Sequence, residues 1–147
     1  MDFRNPPPEP LASSVGFLLS WNGQRGARLF AEALQPLGLR PPHFGVLTMI
    51  DTQPGVTQAK LVDGAMIDPS SMVAVIDELE ELGLAERRPH PSDRRKHAMH
   101  LTAEGKRTLG RAHRAATAVV EEVMGPLDAN ERETLLLLLR KLAGVDR

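Results

Sequence analysis

Apolar residues along this chain recur mostly at spacings of three and four, the spacing that keeps one face of an α-helix dry. Beginning near Leu11, the positions Val15, Leu18, Leu19, Leu29, Phe30, Ala33 and Leu34 predict a long first helix, stopped by Pro36 and Gly38. Its middle, Trp21 to Gly26, is polar and holds two glycines, which allows a bend or a close packing contact. After Pro41-Pro42, the residues Phe44, Val46, Leu47 and Ile50 predict a second helix that ends before Gln53-Pro54-Gly55. A third starts with Thr57 as N-cap, buries Leu61 and Val62, and gives way to a turn over Gly64-Ala65-Met66-Ile67.

The next helix, 68–82, is the best marked in the chain. Asp68 is its N-cap, Pro69 takes the first helical position, and Ile67 and Met72 are placed as a hydrophobic staple. Met72, Val75, Ile76, Leu79 and Leu82 form an inward stripe, leaving Ser70, Ser71, Val73, Ala74, Asp77 and Glu81 facing elsewhere. Gly83 ends it, Leu84 to Arg88 is one short strand, Pro89 to Lys96 a turn, and His97 to Leu101 the returning strand. Alternation puts His97, Met99 and Leu101 on one face of that strand, Ala98 and His100 on the other. Thr102 caps a long helix running to Val123, and a capping box of Asp128 and Glu131 opens a last helix carrying Leu135 to Leu139 and Leu142. The expected fold is mainly α with a small β-hairpin wing.

At 147 residues the chain is expected to form a single domain, 11–147, behind an extended, poorly ordered arm, 1–10, that holds four prolines. Only five aromatics are present, so the core must come from Leu, Val, Ile, Ala and Met, a choice that favours helices. The absence of cysteine excludes disulfides, thiolate metal sites and thiol redox sensing. No window approaches 18 consecutive apolar residues and the N-terminus has no hydrophobic signal core, so the expectation is a cytoplasmic protein with no membrane span. A Gly-rich phosphate loop and an activated-nucleophile pattern are also missing, and an enzyme is not expected.

Charge changes the picture most. The net charge is −1, yet Arg87 to Arg114 holds nine Lys or Arg against two acids, a local balance of +7. Phosphate attraction follows the local patch, because screening confines charge effects to about 8 to 10 Å. A helix-turn-helix followed by a basic hairpin suits duplex DNA: the second helix of the pair fits the major groove and its N-terminal residues, Ser70, Ser71, Val73 and Ala74, point at base edges. Its N-terminus would also offer free N–H groups to a phosphate. A Ser pair after Pro is equally ordinary first-turn chemistry, and the helix alone does not decide. In the wing, Arg94, Arg95 and Lys96 can reach the minor groove and its phosphates, while Asp93 fixes the turn or pairs with one of the arginines.

These residues resemble the MarR family of winged-helix transcription regulators, over about residues 11 to 144. The resemblance rests on Leu79-Glu80-Glu81-Leu82-Gly83-Leu84 with Arg87-Arg88 following, then Asp93-Arg94-Arg95, then Leu101-Thr102-Ala103-Glu104-Gly105. It implies a winged-helix lobe over about 41–101 and an obligate homodimer built from helices at about 11–35 and 102–144. The two lobes would read a pseudo-palindromic site in double-stranded DNA, with half-sites roughly 10 base pairs apart. The leucine run 135–139 fits that reading, since it leaves apolar surface on most sides of its helix. Arg87, Arg88 and Asp93 to Lys96 join the DNA-contact candidates. Many members are repressors released by small aromatic or phenolic acids, which would make Trp21, Arg25, His43, Phe44 and Leu47 the ligand candidates here. Taken without the resemblance, Trp21 suits packing in a dimer core and His43 a surface position after Pro42.

One departure from the family pattern stands out. Where members often carry an arginine in the middle of the reading helix, this chain has Ala74 and Glu78, with Asp77, Glu80 and Glu81 nearby, which argues against guanine readout. Two rivals follow from the residues: a metal-responsive regulator, given His90, His97, His100 and His113, and a helical protein-interaction module, given the acid-rich helix. Strand alternation separates His97 from His100, and the module would leave the +7 segment idle. No metal or cofactor is therefore expected.

Overall fold

The caps written into the sequence set the helix starts. In this computed structural model, which describes residue 3 and residues 5–65 and 67–145, Asp68 accepts the Ser71 N–H at 3.0 Å and Thr102 accepts the Gly105 N–H at 2.9 Å. Asp128 and Glu131 close their reciprocal box with bonds of 2.9 and 3.0 Å. Met66 of the expected turn lies outside the described residues, as do Met1, Asp2 and Arg4 of the N-terminal arm.

The elements run α1 (Val15–Leu34), α2 (Pro41–Thr52), β1 (Val56–Thr57), α3 (Gln58–Ala65), α4 (Pro69–Glu81), β2 (Ala85–Pro89), β3 (His97–Leu101), α5 (Ala103–Val123) and α6 (Ala129–Leu142). A 3-10 turn, Leu11–Ser13, occupies the residues expected to begin the first helix, and another, Gln35–Leu37, follows α1. The hairpin of the sequence reading is instead part of a three-stranded antiparallel sheet, order β1-β3-β2, with Val56 opposite Met99 and Arg88 opposite Ala98. Two residues after Gly55 are too few to show strand periodicity, so β1 was not expected. As a result β3 is the middle strand, and Ala98 is buried as well as Met99, on the opposite face, with Thr57 and Arg88 as its cross-strand neighbours.

The chain divides into two compact units, Phe30–Ala116 and the pair of segments Met1–Leu29 and Thr117–Arg147. The unit 30–116 holds the core: Val46, Leu47 and Ile50 of α2, Leu61 of α3, Met72, Val75, Ile76 and Leu79 of α4, and Met99 of β3. Leu82, expected in the inward stripe, is exposed, because α4 stops at Glu81 and Leu82 is its C-cap. Gly83 follows at φ +71°, the left-handed conformation that ends the helix, and the Leu84 N–H returns to the Leu79 carbonyl at 2.9 Å.

The other unit is built differently. Among its described residues none is buried. Leu136, Leu137 and Leu138 of α6 are each more than half exposed, and Val15, Leu19, Val120 and Leu142 add to the open apolar surface. Its aromatic residues gather at the N-terminal side, where the Trp21 ring meets Phe3 edge-on at 4.9 Å and Phe17 at 5.8 Å.

Candidate nucleic-acid interface

Every DNA-contact candidate lies in the unit 30–116, on α4 or on the wing formed by β2, β3 and the loop 90–96. At the start of α4, the Ser70 and Ser71 hydroxyls both donate to the Asp68 carboxylate at 2.6 Å, alongside the Ser71 N–H. These bonds, the Ser70 hydroxyl first, hold the Asp68 carboxyl well below the usual carboxylate range. The helix N-terminus is thus occupied by a fixed negative charge, and the phosphate approach expected there is closed. Further along, Val73 is 39% exposed and Ala74 is exposed too, so both face outward as the pattern predicted.

Three of the four acids of α4, Asp77, Glu78 and Glu80, are paired within the fold. Glu78 receives the Arg40 guanidinium and, at 2.6 Å, His43 Nε2. The Arg40 N–H donates to His43 Nδ1 at 3.0 Å, which leaves the ring hydrogen on Nε2 to be donated to Glu78. Hydrogen bonds from Arg40 and His43 keep the Glu78 carboxyl below its ordinary value. Glu80 takes the Arg87 backbone N–H at 3.0 Å and its guanidinium, and Asp77 takes the other end of the same guanidinium at 2.6 Å. The face that looked acidic in sequence is therefore partly offset by Arg40 and Arg87, brought in by α2 and β2, which periodicity on a single helix could not reveal.

The same pairs correct two expectations. Arg87 is a clamp between β2 and α4, its side chain only 22% exposed, and does not present its charge outward. His43 is 3% exposed rather than at the surface, buried beside α4, while Leu47 is fully buried in the core and has no face to offer a ligand. Phe44 packs edge-on against Phe30 and His113, at 5.1 and 5.0 Å. Trp21 and Arg25, the remaining ligand candidates, belong to the other unit, where Arg25 borders a groove of about 580 Å³ lined mainly by Leu18, Leu19, Leu127, Leu135 and Leu139.

On the wing, Asp93 sets the turn as expected, accepting the Arg95 N–H at 3.1 Å and Arg95 Nε at 3.2 Å, and these bonds lower its pKa. The Lys96 N–H bonds the Asp93 carbonyl and the His90 N–H bonds the Lys96 carbonyl, both at 3.0 Å. Arg88 pairs with Glu86, its neighbour on the same strand face. Arg94 and Lys96 are exposed, and among the described residues their side chains make no hydrogen bond or close ion pair. They are the open cations of the loop.

Sequence reasoning missed one part of this surface. Thr57 of β1 and Gln58 and Ala59 at the start of α3 line, with Arg95, Lys96 and His97, a recess of about 230 Å³. It exists because β1 pairs with β3 and carries the first turn of α3 to the base of the wing. Lys60, exposed and unpaired beside it, is a further cation within α3. The only signal for it was Gly55-Val56-Thr57, a turn followed by two β-branched residues.

Two sequence motifs meet behind this surface. The Thr102 hydroxyl donates to the Gly83 carbonyl at 2.6 Å, and the Thr102 N–H bonds Leu84 O at 3.1 Å, so Leu101-Thr102-Ala103-Glu104-Gly105 is sewn to the end of α4. Of the histidines that suggested a metal, His90 bonds Ser92 at 3.0 Å and His113 packs on Phe44.

The sequence profile of the MarR family matches residues 37–96, the span from the approach to α2 through the wing loop. The chain is 30% identical over 95% of its length, and 88% of the relative's, to the HTH-type transcriptional repressor NicR of Pseudomonas putida. Among solved structures it is similar to the transcriptional repressor CouR bound to a 23-mer DNA duplex, at 32% identity and a TM-score of 0.82, covering 95% of this chain and 99% of that one. It is also similar to the Mycobacterium tuberculosis MarR family protein Rv2887 in complex with salicylic acid, at 32% identity and a TM-score of 0.72, covering 88% and 96% of the two chains.

Proposed function

This chain belongs to the MarR family, and from that premise we propose that it is a homodimeric repressor in the cytoplasm that binds a pseudo-palindromic operator and releases it to a small aromatic acid. The observation that carries the reading is the charge layout of the unit 30–116: the acids Asp77, Glu78 and Glu80 of α4 are paired within the fold, while Arg94 and Lys96 stand open on the wing beside it. The pairing removes much of the repulsion α4 would meet in the major groove, leaving Asp68 and Glu81, and the wing cations take the phosphates and the minor groove. The duplex bound by the CouR relative supports the partner.

Ser70, Ser71, Val73 and Ala74 meet base edges; Arg88, Arg94, Arg95 and Lys96 meet the backbone; Arg87 and Asp93 position α4 and the wing. Dimerisation is supported by the unit that buries none of its described residues and leaves the α6 leucines open. Without a partner such apolar surface stays in water. A salicylate-type effector is supported by the ligand of the Rv2887 relative, with Trp21 and Arg25 as the residues to vary.

The test is binding of the purified protein to the DNA upstream of its own gene against a scrambled duplex, across a salt series, with and without salicylate. Site-dependent affinity that falls steeply with salt, and falls again with salicylate, is the expected result. Equal weak binding to both duplexes would favour a helical interaction module instead.

A further inference from the structure

The groups α4 can turn toward a base are few, and their chemistry is one-sided. Each Ser hydroxyl has a single hydrogen, and at Ser70 and Ser71 that hydrogen is given to Asp68. What remains on both oxygens is lone pairs, so toward DNA they accept and do not donate. The next outward residues, Val73 and Ala74, present only methyl groups. Of the arginines that meet α4, Arg87 is clamped by Asp77 and Glu80 and is not free for the two-bond contact with guanine O6 and N7, and Arg40 pairs with Glu78.

In the major groove an A·T pair offers a donor, the adenine N6 amino group, and an apolar group, the thymine C5-methyl; a G·C pair also offers a donor, the cytosine N4 amino group, but sets it beside two guanine acceptors and has no methyl. Acceptor oxygens alone fit the amino group of either pair, but the bare methyls that follow them find an apolar counterpart only in the A·T pair. We infer that α4 reads A·T pairs through the major groove, with the Ser70 and Ser71 oxygens accepting from adenine N6 and the Val73 and Ala74 methyls packing on thymine methyls. The inference rests on the DNA-binding function proposed above and adds what each half-site must contain.

The experiment uses the full chain and duplexes enriched from a random double-stranded library. In the enriched duplex each thymine is replaced in turn by deoxyuridine, which removes the major-groove methyl and leaves the minor-groove edge that the wing meets unchanged. Each adenine is replaced in turn by unsubstituted purine, which removes the N6 amino group. The expected result is a thymine in each half-site whose methyl is worth about fourfold in affinity, as burying one carbon's worth of apolar surface would give. Val73 is exposed, and Val73→Ala, which removes part of the apolar contact and leaves Ala74, should reduce that sensitivity while leaving the purine effect in place. Enriched half-sites whose central pairs are G·C, or affinity unchanged by deoxyuridine at every position, would overturn the inference while the regulator reading stands. Failure to enrich any duplex over scrambled DNA would overturn both.

Discussion

The Leu84 carbonyl oxygen lies 1.9 Å from the point where a Cβ on Gly105 would stand. No side chain fits there, because the atom in the way is backbone and cannot swing aside. Gly105 lets the first turn of α5 close onto the end of α4, where Thr102 already bonds Gly83 and Leu84. The wing is held at both ends by this junction. Gly105→Ala should therefore force backbone movement and cost about 1–3 kcal/mol, in the range of overpacked cores. Chemical denaturation of the variant checks it; an unchanged midpoint would mean that the junction gives way more easily than its geometry implies.

Arg87 and Arg94 are both candidates by sequence, but only one is open. Arg94→Ala should leave the denaturation midpoint in place and reduce the salt slope of duplex binding by about one, the loss of a single phosphate contact. Arg87→Ala removes the partner of Asp77 and Glu80 and should lower stability by about 1–3 kcal/mol, as for a lost bond to a charged group. Equal effects of the two substitutions on stability would contradict the clamp.

His43 bridges the Arg40 backbone to Glu78 from a buried position. Glu78→Gln keeps an acceptor for His43 Nε2 and gives up the ion pair with Arg40, which is exposed and of small value. Glu78→Ala leaves the buried ring without its partner and should cost about 1–3 kcal/mol more. Melting curves of the two variants side by side would expose the difference, and coincident curves would remove His43 from the account.

Asp68, Glu78, Asp93 and Glu104 are all held below their ordinary values, 3.8 for the aspartates and 4.5 for the glutamates, by hydrogen bonds made in the folded chain. The unfolded chain binds protons on these groups more readily, so their stabilisation is complete above those ordinary values and is lost as pH falls through the lowered ones. Denaturation midpoints should decline below about pH 4.5, and Asp68→Asn, still a good N-cap, should flatten part of that decline. An acid limb identical to the parent's would show that Asp68 does not contribute to it.

Leu136 and Leu139 are exposed on α6, and the proposed dimer is the place for them. Leu136→Asp combined with Leu139→Asp should shift the sedimenting species from dimer to monomer and weaken DNA binding together, since one lobe holds only half of a two-fold site. Retained dimers would move the interface away from α6.

The sequence by itself determined the elements whose signals are local. Asp68-Pro69, Thr102 and the Asp128–Glu131 box act within four residues of themselves, and Gly83 ends α4 through its own backbone conformation, so each could be read before any contact was known. The +7 segment and the wing turn at Asp93 were legible for the same reason. Only the tertiary structure decided which charges are free. Arg87 meets Asp77 ten residues away and His43 meets Glu78 thirty-five away, pairings that depend on α2, α4 and β2 coming together and leave no periodic trace. It alone placed β1, two residues made a strand by Met99, and buried Leu47 and His43 where local pattern allowed a ligand face or a surface position. Caps and turns are settled by nearest neighbours along the chain, whereas the charge a protein shows to DNA is what remains after distant side chains have paired.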